Sequence, residues 1–402
     1  MMDDPFERWR LTPVINVTGT KTGIGASRVA AETRALVDQI MSSFVDMDEL
    51  QTRAGAVIAR ITGAEAGCIT ACSAAAMTQT VAACLTGADL ARIEMLPQTD
   101  KERRVLLPMS HMVNYGAPVD QAIRLAGAHV VPVGTAATCE EWHLRAALER
   151  GAAAAMYVVS HHTVRENELP MDLFIACCQE YEVPAIVDMA SEYDLTGPLA
   201  MGASAVIYSG HKCLGGVTSG IVAGQTDLVR ATYLQHRGIG RTMKAGKESI
   251  VGAIAALELW ETRDHQAVQV AEEKRVALWS RSLSDIPGMT LARHADWTGN
   301  PITRLCMTVD PVVAGLNAWE LTARLAARSP QIIVRDDLIE HQEIYLDPCN
   351  LTDDEAEHVV VAIREEVARF RADGDGLQLS WSDIKHAREA QILAWRGNWD
   401  DS

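Results

Sequence analysis

The sequence predicts an α/β fold built on one mostly parallel sheet, and three observations carry that prediction. Strand-length apolar runs bounded by glycine, proline or polar residues recur along the first two thirds of the chain. Helical stretches of crossover length lie between them. Aromatic residues make up only 5% of the chain beside 28 glycines, which suits helices packed closely on a sheet better than a sandwich of bulky strands.

In chain order, residues 67–70 read as a strand that turns directly into an alanine-rich helix beginning near Ser73. Apolar runs at 105–107, 129–133, 155–159, 185–187, 205–208 and 220–223 are further strands, each too short for a helix and closed by a breaker or a polar residue. Helices at 118–125, 141–149 and 172–181 supply the crossovers. Residues 60–225 therefore form one sheet covered on both faces, with functional groups expected at the C-terminal strand ends. A long helical region covers 249–284. Strands near 302–309, 332–334 and 343–346, with helices at 319–328 and 353–371, then read as a smaller α+β domain. The expected division is an N-terminal segment at 1–30 packing on the small domain or a partner subunit, a large domain at 31–270, the small domain at 271–372, and a tail at 373–402.

Charge narrows the function classes. The 402 residues carry 36 Lys and Arg against 53 Asp and Glu, a net charge of −17, which repels a phosphate backbone and argues against a nucleic-acid partner. No apolar run reaches 18 residues and the N-terminus is acidic, so no membrane association and a cytoplasmic location are expected. Nine cysteines without CxxC or Cys/His spacing read as reduced thiols, with no metal site.

Three features carry chemistry. Lys212 lies in Ser209-Gly210-His211-Lys212-Cys213-Leu214-Gly215-Gly216, just past a strand, where a primary amine on a tight turn can form an imine with a carbonyl. Asp188 ends the preceding strand, where a carboxylate can hold a pyridine nitrogen protonated. Ser73, Ala74 and Ala75 open a helix whose small side chains leave backbone N–H groups free for a phosphate. Singly, these could be a solvated loop charge, a helix N-cap and ordinary close packing. Together, in this order, they have the arrangement of a fold-type I pyridoxal-phosphate site.

The lysine segment, followed by Ser219-Gly220-Ile221-Val222-Ala223-Gly224, resembles that of the selenocysteine-synthase-like group, which takes in the D-glucosaminate-6-phosphate ammonia-lyases. Pro13-Val14-Ile15-Asn16-Val17-Thr18-Gly19-Thr20, Gly63-Ala64-Glu65-Ala66 with the Ser73 run, and Leu125-Ala126-Gly127-Ala128 before Val133-Gly134-Thr135 are similar to other landmarks of the group. The resemblance covers about residues 10–350. It implies the fold-type I pyridoxal-phosphate transferase fold, a seven-stranded type of sheet, and pyridoxal 5'-phosphate as cofactor. It also implies Lys212 as the Schiff-base lysine and Asp188 as the pyridine partner. Ser73, Ala74, Ala75, Ser209 and His211 would surround the cofactor, with His111 stacked on its ring. Thr20, Arg304 and Arg335 would meet the substrate, although Cys349 stands where a basic residue is expected. The −17 charge and a core motif that begins at residue 13 set the chain apart from an enzyme acting on charged tRNA.

Two clusters remain. His161 and His162 follow a strand, as acid/base or cofactor contacts or as a surface pair. Residues 236–247 hold Arg237, Arg241, Lys244 and Lys247 with no acid, as an anion site or a solvated loop. The expected activity is a pyridoxal-phosphate-dependent lyase of the ammonia-lyase or dehydratase type, taking a β-hydroxy amino acid to a 2-oxo acid and ammonia. A phosphate or another anionic group on the substrate is expected. Racemisation or epimerisation, transamination, and a non-catalytic cofactor-binding scaffold are the alternatives. At least a homodimer is expected, because such sites are commonly completed across a two-fold axis.

Overall fold

A computed structural model describes residues 4–373 and 379–394. The chain falls into two compact units that part at Ile24–Gly25 and at Arg263–Asp264. The first strand, β1 (Val14–Val17), belongs to the smaller unit.

The large unit holds β2 (Ala66–Thr70), β3 (Arg104–Pro108), β4 (His129–Val133), β5 (Ala154–Val158), β6 (Ala185–Asp188), β7 (Ala205–Ser209) and β8 (Gly220–Gly224). They form one seven-stranded sheet in the order β2-β8-β7-β6-β5-β3-β4. Strands β3 to β7 run parallel, while β8 is antiparallel to both of its neighbours. Every residue of β5, β6, β7 and β8 is buried, which is why these strands read as unbroken apolar runs rather than alternating ones. The edge strand β2 is protected by the side-chain amide of Gln51, which donates to the Ile69 carbonyl (2.7 Å) and accepts from its N–H (3.0 Å).

The small unit adds β9 (Met289–Ala295), β10 (Thr303–Val309), β11 (Gln331–Val334) and β12 (Glu343–Leu346). Strands β12-β10-β9 make an antiparallel sheet, and β11 pairs in parallel with β1. Helices His265–Leu283 and Asp353–Asp373 cover a separate core in which the Trp279 indole, fully buried, donates to the Ala356 carbonyl at 2.9 Å.

Some elements differ from expectation. The helical region at 249–284 is two helices, Lys247–Thr262 and His265–Leu283. They break where the Asp264 side chain turns back to accept from the Ala267 N–H at 2.9 Å and so caps the second. Strand β9 is not foreshadowed, because its residues are mostly exposed and form no apolar run. In the C-terminal tail, the helix Trp381–Leu393 starts at a Ser380/Asp383 capping box, and its Trp381 packs near Trp319 (ring centroids 5.8 Å apart). The rest of that tail, 374–378 and 395–402, and residues 1–3 lie outside the described residues. Among the described residues no helix is long and apolar enough to cross a membrane.

Candidate active site

Parallel strands deliver their C-terminal ends to one edge of the sheet. Asp188 ends β6 and Ser209 ends β7; β8 begins at Gly220, which pairs with both Ser209 and Thr70. The lysine turn is built on backbone bonds. Gly210 N–H donates to the Ser219 carbonyl (2.9 Å), Gly216 N–H to the Gly210 carbonyl (2.7 Å), and Gly215 N–H to the Lys212 carbonyl (3.0 Å). A Cβ on residue 210 would overlap the Ser219 hydroxyl, which would have to move to admit a larger residue. The Ser27 hydroxyl donates to the His211 carbonyl at 2.7 Å, and the Cys213 thiol to the Ser191 carbonyl at 2.8 Å. Lys212 thus projects, half-buried, from a clamped main chain. Ser209 Oγ meets His211 Nδ1 at 3.0 Å. Burial, and after it the Lys212 charge, lowers the His211 imidazole below its ordinary value.

Asp188 is 5% exposed, and its Oδ1 has no hydrogen-bond partner. Burial pushes its carboxyl up from 3.8 to about 6, against the opposing pull of the Lys212 charge and the Ala190 N–H. The lysine and the aspartate therefore lie within electrostatic reach of each other. Tyr115 joins them: burial raises its phenol, and the charges of Asp188 and Cys72 raise it further.

Next to these, helix Ser73–Thr86 begins just past β2. Cys72 is its N-cap, the carbonyl accepting from Ala76 N–H (2.9 Å) and Sγ from Ala75 N–H (3.4 Å). Ala75 is thus engaged, whereas the first-turn amides of Ser73 and Ala74 have no acceptor within the helix. Such a helix start favours an anion. The basic segment is tied to the same place, because the Met243 carbonyl accepts from Ala71 N–H at 3.3 Å. Arg241 and Lys244 are exposed on that segment.

His111 has a different setting from the stacking one expected. A stacked ring needs an open face, and His111 is 0% exposed. Its Nδ1 accepts from Val158 N–H (3.1 Å), so the proton sits on Nε2 and is donated to Glu168 (2.8 Å). Burial raises the Glu168 carboxyl, but the His111 bond and charge, Tyr157 and Arg165 outweigh it and hold the group below its ordinary value. His111 pins the turn after β3 to the end of β5. Neither Glu168 nor Tyr115 is signalled by sequence spacing, since both are loop residues brought in by the fold. His161 and His162 follow β5 as an exposed pair with ring centroids 3.8 Å apart.

In the small unit, Arg304 and Arg335 act on Asp347, which donates its N–H to the Val17 carbonyl (3.0 Å) and lies against Gly19, the residue before Thr20. Arg304, 5% exposed, is taken by Asp347 (2.6 Å) and Asp296. Arg335 lies over the Trp297 ring (4.7 Å) and bonds Asp337 through Nε (2.8 Å). Its Nη2 is buried without a partner. Cys349 is buried, its N–H held by Asp347 (2.9 Å).

These residues fit pyridoxal phosphate. The orphan Asp188 oxygen suits a protonated ring nitrogen, Lys212 supplies the amine, and the Ser73 helix start suits the phosphate.

Comparison with known proteins agrees. Residues 14–283 match the family model described as SelA: L-seryl-tRNA selenium transferase. The chain is 36% identical to D-glucosaminate-6-phosphate ammonia lyase of Salmonella typhimurium over 375 residues, 93% of this chain and 100% of that protein. A solved structure of D-glucosaminate-6-phosphate ammonia-lyase superposes with a TM-score of 0.82 at 34% identity, covering 92% of this chain and 100% of the other. The 5'-C-glycyluridine monooxygenase-decarboxylase of a Streptomyces species is 34% identical over 363 residues, 90% of this chain and 91% of that protein. Ureidoglycine-glyoxylate aminotransferase from Bacillus subtilis, at 11% identity, shares the fold with a TM-score of 0.61 over 90% of this chain and 94% of the other. The chain belongs to the L-seryl-tRNA selenium transferase family of fold-type I, pyridoxal-phosphate-dependent enzymes.

Proposed function

We propose that the chain is an ammonia-lyase that removes water and then ammonia from an anionic β-hydroxy amino acid, leaving a 2-oxo acid. The observation that carries the reading is the buried Asp188 carboxylate with an unpartnered oxygen, facing the charge of Lys212 one strand away. Similarity over nearly the whole chain to a protein named for ammonia-lyase activity on a phosphorylated sugar acid supports it.

When bound, pyridoxal phosphate supplies a ring that takes up the electron pair of a broken Cα bond. Asp188 would hold the ring nitrogen protonated, its burial keeping water from the contact. Ser73 and Ala74, at the helix start, would hold the phosphate. Lys212 Nζ would hold the cofactor's carbonyl carbon and is the base that would take the Cα proton. The Cβ hydroxyl leaves with a proton as water, for which His161 or His162 is the candidate donor. Water then adds as ammonia departs, so the net change is loss of ammonia from the hydroxy amino acid. Arg335 Nη2 is the proposed partner of the substrate carboxylate.

The test is a panel of D- and L-β-hydroxy amino acids and amino sugar acids, phosphorylated and not, scored for ammonia, 2-oxo acid, optical rotation and oxygen uptake. Equal amounts of ammonia and oxo acid without oxygen uptake are expected. Oxygen consumption with release of carbon dioxide, or racemisation without ammonia, would overturn the reading.

A further inference from the structure

The main chain of Arg335 is fixed, since its N–H and carbonyl are both exchanged with Tyr345 (3.1 and 2.9 Å). Its guanidinium is held differently. Asp337 takes Nε at 2.8 Å, the Trp297 ring lies beneath, and Nη2 is left for another partner. Asp337 stands in the loop 336–342 with its side chain 40% exposed. An ion pair to an exposed loop carboxylate orients a guanidinium only as well as the loop itself is held.

The C-terminal tail holds that loop. Helix Trp381–Leu393 carries Trp381, Lys385 and Arg388 at i, i+4 and i+7, on one face. Opposite them the loop has three acids in five residues, Asp336, Asp337 and Glu340. The Trp381 indole donates to Glu340 (3.0 Å), Lys385 Nζ lies 3.7 Å from the same carboxylate, and Arg388 donates to Asp336 at 2.5 Å. Both cations also lie over the Trp381 ring, 5.1 and 5.5 Å from its centre. Asp336 takes a second cation, Lys21 (3.7 Å), the residue after Thr20. Asp336 and Glu340 are thus tied to the tail on either side of Asp337, which turns to Arg335.

The helix has its own anchor. Leu379 N–H donates to Glu320 (3.3 Å), and the Leu379 carbonyl accepts from the Trp319 indole (2.7 Å). Both partners lie on helix Ala318–Ala326, where Glu320 is buried. A helix kept only to cover the core would turn its apolar side chains inward. Here Ile392 and Leu393 are exposed, and the contact face is aromatic and cationic, complementary to the acidic loop.

We propose that helix Trp381–Leu393 sets the preference of the site for a free carboxylate. Arg388, Lys385 and Trp381 are positioning residues: they fix the loop, the loop fixes Asp337, and Asp337 aims Arg335. The inference rests on Arg335 as the partner of the substrate carboxylate and gives the tail a part in substrate selection.

The experiment titrates full-length holoenzyme with serine and with serinamide, D and L, and reads the change in cofactor absorbance. The two probes differ in the carboxylate. Wild type should bind serine at least about tenfold more tightly than serinamide, and Arg335→Gln should abolish that preference. Arg388→Glu and Lys385→Glu should each reduce it about threefold by weakening serine alone, whereas Arg388→Lys should keep it. Both side chains are largely exposed, and urea midpoints equal to wild type will verify folding. A preference that depends on Arg335 but is unchanged in Arg388→Glu and Lys385→Glu overturns the proposal and leaves the role of Arg335 standing. Equal weakening of serine and serinamide also overturns it, since that is the mark of a merely structural helix. A wild type without the preference, or a preference that survives Arg335→Gln, removes the carboxylate from Arg335 and the proposal with it.

Discussion

Replacing Asp188 with asparagine should act in opposite directions on the empty and the loaded protein. Burial raises this carboxyl from 3.8 to about 6 in the folded chain. The folded state thus holds the proton more tightly than the unfolded state, and stability falls as pH rises from 3.8 through 6. Above that range the buried carboxylate costs about 3 kcal/mol, at about 1.4 kcal/mol for each tenfold change in proton affinity. At pH 5 about half of that cost is already present. Asparagine does not titrate. In cofactor-free protein, the stability of Asp188→Asn relative to wild type should therefore rise by about 1.4 kcal/mol between pH 5 and pH 7.5. Urea unfolding at the two pH values measures this directly. The cofactor should meanwhile bind at least about tenfold more weakly to the variant at pH 7.5, since an amide cannot hold the ring nitrogen protonated. A stability difference that does not change with pH, or full retention of cofactor and turnover, would refute the account.

Lys212→Ala should abolish turnover, and borohydride treatment of wild type should fix the cofactor on the peptide containing Lys212; an adduct on Lys244 or Lys247 would displace the assignment. His111→Ala leaves the Val158 N–H without its acceptor and takes one hydrogen-bond donor from the Glu168 carboxylate. It should cost about 2–4 kcal/mol in urea unfolding, equally with and without cofactor, whereas a stacking role predicts loss of cofactor affinity alone. Gly210→Ala forces a methyl onto the Ser219 hydroxyl and should cost about 2 kcal/mol, partly restored by adding Ser219→Ala. Arg335→Gln should raise KM about tenfold or more with a smaller change in kcat.

What the sequence discloses follows from how locally each feature is encoded. Strands β5 to β8 are legible because a doubly covered strand is apolar at every position, so 205–208 and 220–223 need no knowledge of their neighbours. The pairing of β1 with β11 is not legible, since Val14 meets Gln331 only through the finished fold. Asp188 and Lys212 stand out because the proposed chemistry calls for a carboxylate and an amine at strand ends, where both fall. His111 is visible as a residue, but its role depends on Glu168, brought in from a loop beyond β5. Arg304 and Arg335 meet at Asp347 in the unit that also holds Thr20, although no sequence spacing links them. Arg304 carries no sequence sign that two aspartates already occupy it.

Two of the buried side-chain atoms without a partner belong to groups of opposite charge, Asp188 Oδ1 in the large unit and Arg335 Nη2 in the small one. Neither helps the empty chain, because a buried polar atom left without a partner lowers stability. Arg304 shows the contrast, since its buried guanidinium is fully matched by Asp296 and Asp347 and so needs no ligand. Each atom is suited to a partner of its own: under the proposed function a protonated ring nitrogen for the Asp188 oxygen, and an anionic oxygen for Arg335 Nη2. A group that is costly when empty and satisfied when filled makes binding restore stability that folding gave up. Cofactor should therefore raise the unfolding midpoint of wild type more than that of Asp188→Asn, by the same buried-charge free energy that makes the empty aspartate unfavourable.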